Sequence, residues 1–77
     1  MRTIKKEEIY KIEDLKPFAT TLISNIEISK GFIIANHPES WEGVECFCVQ
    51  YHQDIDNKIS NLKKNGYKIL DTYKYED

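Results

Sequence analysis

No uninterrupted apolar run is longer than Phe32 to Ala35, whereas a helix that crosses a bilayer needs about 20 apolar residues. A membrane-spanning helix is excluded. Glycine and proline are scarce, three and two residues, which removes collagen-like and low-complexity classes. Positive charge is not in excess either. Eleven basic residues face 13 acidic ones for a formal charge of −2, and phosphate-backbone binding announces itself as a clustered positive surplus. Direct nucleic-acid binding is not expected. The first 15 residues alternate charged and apolar groups and lack a basic segment followed by an apolar one, so no secretory signal is read and the expected setting is cytoplasmic. In that reducing setting the two cysteines are expected as free thiols. No G-x-G-x-x-G, Walker A or H-E-x-x-H pattern occurs, and no Gly-rich oxyanion loop accompanies a nucleophile, so neither a cofactor nor catalysis is expected.

What is present is an ordinary folding composition, 40% hydrophobic and 31% charged over 77 residues. A chain of that size buries roughly 60 to 65% of its unfolded surface, which leaves room for one core and predicts a single small α+β domain over residues 1–77. Ile4, Ile9, Tyr10 and Ile12 predict a strand from Thr3 to Ile12, with a helical alternative in the good helix formers Lys5 to Glu8. Leu15, Phe18, Ala19, Leu22, Ile23 and Ile26 form one helical stripe. They predict a first helix over residues 15–25, capped by Asp14 and carrying Pro17 in its first turn.

Beyond Asn25 the apolar period falls to two. Ile26, Ile28, Phe32 and Ile34 predict a strand interrupted at Gly31, and Val44 to Tyr51 a second strand. Phe47, Val49 and Tyr51 on one face, with Val44, Cys46 and Cys48 on the other, place that second strand in the sheet interior. Asp54, Ile55, Ile59 and Leu62 predict a second helix, stopped at Asn65-Gly66. A last strand from Tyr67 to Tyr75 carries Tyr67, Ile69, Tyr73 and Tyr75 on one parity.

The order βαββαβ predicts a ferredoxin-like sandwich: a four-stranded antiparallel sheet, the first and third strands central, both helices on one face. If the central hairpin closes around residues 37–43, paired residue numbers sum to about 81, matching Ile34 with Phe47 and Ala35 with Cys46. Phe32, Ile34, Phe47 and Val49 are then expected under the helices, and Ile33, Ala35, Cys46 and Cys48 on an open face; the reverse assignment stands beside it, because both faces are apolar. An open face invites a homodimer, and Tyr10, Tyr73 and Tyr75 on it invite base stacking, although the RNP pattern is absent.

Two clusters bear on function. His37, Cys46, Cys48 and His52 are of zinc-ligand type. C-x-C in a strand nevertheless departs from the usual paired-cysteine knuckles, and the two cysteines read first as small buried hydrophobes; the metal reading is the alternative. The loop His37 to Gly43 carries Trp41, the single tryptophan, with Glu39, Glu42 and Glu45 around it. Tryptophan is over-represented in binding hot spots, and the acids favour a protein partner with a basic surface. The competing reading folds Trp41 back as a lid on the core.

Over the first 15 residues, the stretch Thr3 to Leu15 resembles small phage-encoded proteins that open with a strand, an acid pair plus Leu, and then a helix. The resemblance implies a phage or mobile-element setting. The expected function is a non-catalytic protein-interaction module, an inhibitor or adaptor of the anti-defence (anti-CRISPR) type. The alternative is a small-ligand or zinc-binding dimer.

Overall fold

A computed structural model of the chain describes residues 2–39, 41 and 43–76. It is an α+β fold: β1 (Arg2–Ile4), α1 (Ala19–Ser24), β2 (Gly31–Asn36), β3 (Val44–Val49), α2 (Ile55–Lys64) and β4 (Lys68–Tyr75), with 3₁₀ segments at Lys6–Lys11, Glu13–Phe18 and His52–Asp54. The four strands form one sheet in the order β1-β4-β2-β3. Strand β1 runs parallel to β4, and β2 is antiparallel to both β4 and β3.

The sheet is therefore mixed, and the antiparallel ferredoxin-like arrangement is corrected. Strands β4 and β2 are central and β3 lies at an edge. The uninterrupted run Phe32 to Ala35 marks the true inner strand, since all four of its side chains are buried. In β3 the run is broken by Glu45, and only Val49 of its residues is buried. Apolar groups on both faces identify a strand covered on both sides, but the charge within β3 is what lets it occupy the edge.

The helices also depart from the expected single layer. Ile9, Leu15 and Leu22 pack with Phe32, Ile34, Tyr73 and Tyr75, whereas Ile55 and Leu62 of α2 pack with Ile33, Ala35 and Val49. Because Phe32 and Ile34 alternate with Ile33 and Ala35 along β2, these clusters lie on opposite sheet faces. The fold has three layers: the 3₁₀ segments with α1, the sheet, and α2. The face expected to be open carries α2.

The register explains the rest. In the β2–β3 hairpin Ile34 pairs with Cys46 and Ile33 with Phe47, so paired numbers sum to 80 and not 81. One residue of slip exchanges faces for the whole strand. Cys46 and Cys48 thus join Phe32 and Ile34, and Phe47 and Val49 join Ile33 and Ala35. In β4 the pairing with β2 skips a residue, Ile34 opposite Asp71 and Ala35 opposite Ile69, which leaves Leu70 as a bulge. The bulge splits the tyrosines read as one face: Tyr67 and Ile69 pack on the α2 side, Tyr73 and Tyr75 on the other.

Locally, the expected first strand ends after Ile4, and a 3₁₀ segment follows, the backbone N–H of Lys5 meeting the Glu8 carboxylate at 3.3 Å. The helical alternative at Lys5 to Glu8 prevails in tightened form. The expected first helix is divided, 3₁₀ over Glu13–Phe18 and α over Ala19–Ser24, and its cap is Ile12 with no side-chain bond, so Asp14 is not the cap. Pro17 inside the segment supplies no N–H, consistent with the tight first turns. Ile28 is exposed outside β2, which begins at Gly31. A Cβ on Gly31 would stand 2.5 Å from the Tyr73 carbonyl oxygen; only glycine lets β2 approach β4 there. Helix α2 stops where expected, with Gly66 at φ +90°.

Candidate protein-binding site

The β2–β3 connection, residues 37–43, is held by its neighbours. The Asn36 side-chain amide donates to the Gly43 carbonyl at 2.8 Å, and Gly43 takes φ +82°. His37 is fixed from both ring nitrogens. The Glu39 N–H donates to Nδ1 at 3.1 Å, which makes Nδ1 the acceptor, so Nε2 carries the hydrogen and donates to the Asn65 carbonyl at 2.9 Å. The imidazole stands edge-on to Tyr67 at 4.9 Å, Tyr67 edge-on to Phe47 at 5.5 Å, and Lys58 Nζ lies 5.4 Å from the Phe47 ring centre. This ladder buttresses the loop from the α2 side.

At the tip, Trp41 is 93% exposed, which rules out the lid reading. Burial of an indole is a large favourable term, and here it is forgone. Glu39 is exposed beside it. Glu42, the third residue expected in the site, lies outside the described residues. Glu45 is placed differently: it is half-buried on β3, where its carboxylate raises the Tyr67 pKa. It lies on the strand and not in the loop that carries Trp41.

On the other side of the hairpin lies a feature that periodicity did not announce. A groove of about 690 Å³ has apolar walls of Pro17, Phe18, Ile34, Val44 and Leu70, with Asp14, Asp71 and Tyr73 as its polar groups. Gly43, two residues from Trp41, completes the rim. Val44 and Leu70 are 42% and 47% exposed, and Leu70 is there because of the bulge. Arg2 secures the far wall: Nε is 3.6 Å from the Asp71 carboxylate, and Nη1 donates to the Tyr73 hydroxyl at 3.3 Å. Burial, then the hydrogen bond to Asp71, raise the Tyr73 pKa. The adjacent residues Ile69 and Leu70, both apolar in a strand read as alternating, were the sequence signal for this bulge.

The zinc-type quartet is not brought together. His37 is bonded to the end of α2, and Cys46 and Cys48 belong to the opposite layer. His52 sits in the 3₁₀ turn after β3. Among the described residues no three His, Cys, Asp or Glu side chains gather as a metal site. The cysteines are half-buried and free. The pairing of the two thiols brings Cys48 down to about 7 and, with burial, pushes Cys46 well above the ordinary thiol value.

The base-stacking surface is also corrected. Tyr73 and Tyr75 are core residues, 2% and 1% exposed, stacked and tilted on Phe32 at 4.7 and 5.6 Å. Tyr10 is exposed apart from them. No described helix is long and apolar enough to cross a membrane. No family model, curated protein or solved structure matches the chain.

Proposed function

We propose that the protein acts by binding another protein through the Trp41 loop and the adjoining groove, without catalysis, as an inhibitor or adaptor of the anti-defence type carried by phages and mobile elements. One observation carries the reading: an indole held 93% exposed at the tip of a loop tied down on both flanks. An anchored loop loses little freedom on binding, so the free energy of burying Trp41 is not spent on ordering. The groove supports a partner of particular chemistry. Its apolar walls suit a leucine- or phenylalanine-sized side chain, and Asp14 with Asp71 suits a lysine or arginine beside it.

The phage setting is supported by the resemblance of Thr3 to Leu15 and by the overall charge of −2, which complements the basic surfaces of nucleic-acid-handling proteins. The test is affinity capture from the source cells with wild-type protein, Trp41→Ala and Asp14→Lys, with Tyr51→Ala as the control at an exposed aromatic away from the groove. The reading expects a retained protein that both site variants lose and the control keeps. Retention unaffected by Trp41→Ala and Asp14→Lys removes the loop and groove from the account.

A further inference from the structure

Cys46 and Cys48 alternate with Glu45 and Phe47 on edge strand β3, so both sulfurs project to the layer formed by the 3₁₀ segments and α1. Two residues apart on one strand face, they have Cα atoms about 6.7 Å apart. In the core cluster against which both cysteines pack, Tyr75 is 1% exposed, and its hydroxyl is buried with no hydrogen-bond partner. A buried hydroxyl without a partner costs about 1–3 kcal/mol. Such a group next to a dithiol marks a place where an acceptor is missing.

We infer that Cys46 and Cys48 form a two-coordinate site for a soft monovalent cation, Cu(I), with the Tyr75 hydroxyl donating a hydrogen bond to the metal-bound thiolate. Thiolates suit the soft first-row ions, Cu(I) and zinc among them, and of these Cu(I) accepts two ligands. Zinc asks for four ligands, and no third His, Cys, Asp or Glu joins the pair among the described residues. A linear S–Cu–S unit needs sulfurs roughly 4.6 Å apart, twice a metal–sulfur bond of about 2.3 Å. Side chains two residues apart on one face of a strand reach that by rotation about χ1. A disulfide fits less well: residues i and i+2 of an extended strand have Cα atoms about 6.7 Å apart, at the outer limit for a cystine. On binding, the ion replaces both thiol protons, which leave to solvent, and the sulfurs become the acceptors that Tyr75 lacks.

The test is an anaerobic titration of the untagged, reduced full chain with Cu(I) against a chromophoric Cu(I) chelator, with melting curves for every variant. One Cu(I) per chain is expected, with an ultraviolet thiolate-to-copper charge-transfer band. Cys46→Ser and Cys48→Ser each weaken binding by more than the roughly 10–100-fold that an outer contact is worth, and Tyr75→Phe weakens it by about tenfold, with a melting temperature unchanged or raised. Copper lost to the chelator, copper held equally by either serine variant, one copper shared by two chains, Zn(II) held as tightly, or recovery of the pair as a disulfide overturns the site.

Discussion

His37 Nε2 and the Asn65 carbonyl oxygen are 2.9 Å apart, joining the β2–β3 loop to the last turn of α2 across 28 residues of sequence. The loop that presents Trp41 is thereby part of the α2 layer and does not hang free of it. Gly66 shares the joint: at φ +90°, a Cβ there would lie 3.2 Å from the same Nε2.

His37→Ala should cost about 1 kcal/mol, the net worth of one hydrogen bond, and Gly66→Ala about 1–2 kcal/mol, since a side chain at positive φ is strained and also displaces the imidazole. Urea denaturation measures both. The two losses should not add, because each breaks the same contact; strict additivity would mean that the joint is not shared.

The bulge at Leu70 sets which residues face which layer. Leu70→Ser should change stability by less than about 1 kcal/mol, since the side chain is 47% exposed. Deleting residue 70 is a different matter. It leaves a regular ladder with Ile69 opposite Ala35 and Asp71 opposite Ile34, so Tyr67 and Ile69 stay on the α2 face and Tyr73 and Tyr75 on the other, and the expected result is cooperative thermal unfolding retained while the Leu70 wall of the groove is lost.

How much of this was legible follows from the same residues. Helix α2 announced itself through Ile55, Ile59 and Leu62, its terminal charges and its glycine stop, and it occupies Ile55–Lys64. The strand Phe32 to Ala35 was equally plain. The hairpin register was not, because both parities of β2 and β3 are apolar and a slip of one leaves hydrophobicity nearly unchanged. The layer assignment failed with it. The segment before α1 was misread because Ile4, Ile9 and Ile12 fit neither period well, and 3₁₀ turns have no apolar signature of their own. In the candidate site Trp41 was legible as the single tryptophan in a polar loop, whereas the groove was not, since Pro17, Val44 and Leu70 meet only through the bulge and the strand order.

The thiol pair predicts a pH signature. In the folded protein Cys48 titrates at about 7, against an ordinary value of 9.0, and Cys46 far above it. Between these limits the unfolded chain holds two protons on the pair and the folded chain one, so stability contributed by the pair rises from pH 7 to 9. Above 9 the unfolded chain holds none and the folded chain still one, and the contribution falls. Cys46→Ala removes the thiol that holds Cys48 down and should flatten this profile in denaturation curves taken across that range. Alkylation should find one fast thiol whose rate climbs around pH 7, and lose it in the same variant.

Trp41 carries the central claim, and capture from source-cell extract with quantified eluates tests it most directly. A hot-spot residue is worth about 2 kcal/mol or more, roughly 30-fold in affinity, while an indole that is 93% exposed contributes little to folding. The account predicts a protein enriched by wild type and by Tyr51→Ala but lost with Trp41→Ala, at an unchanged melting temperature. Equal enrichment by Trp41→Ala, or no protein enriched by wild type, contradicts it.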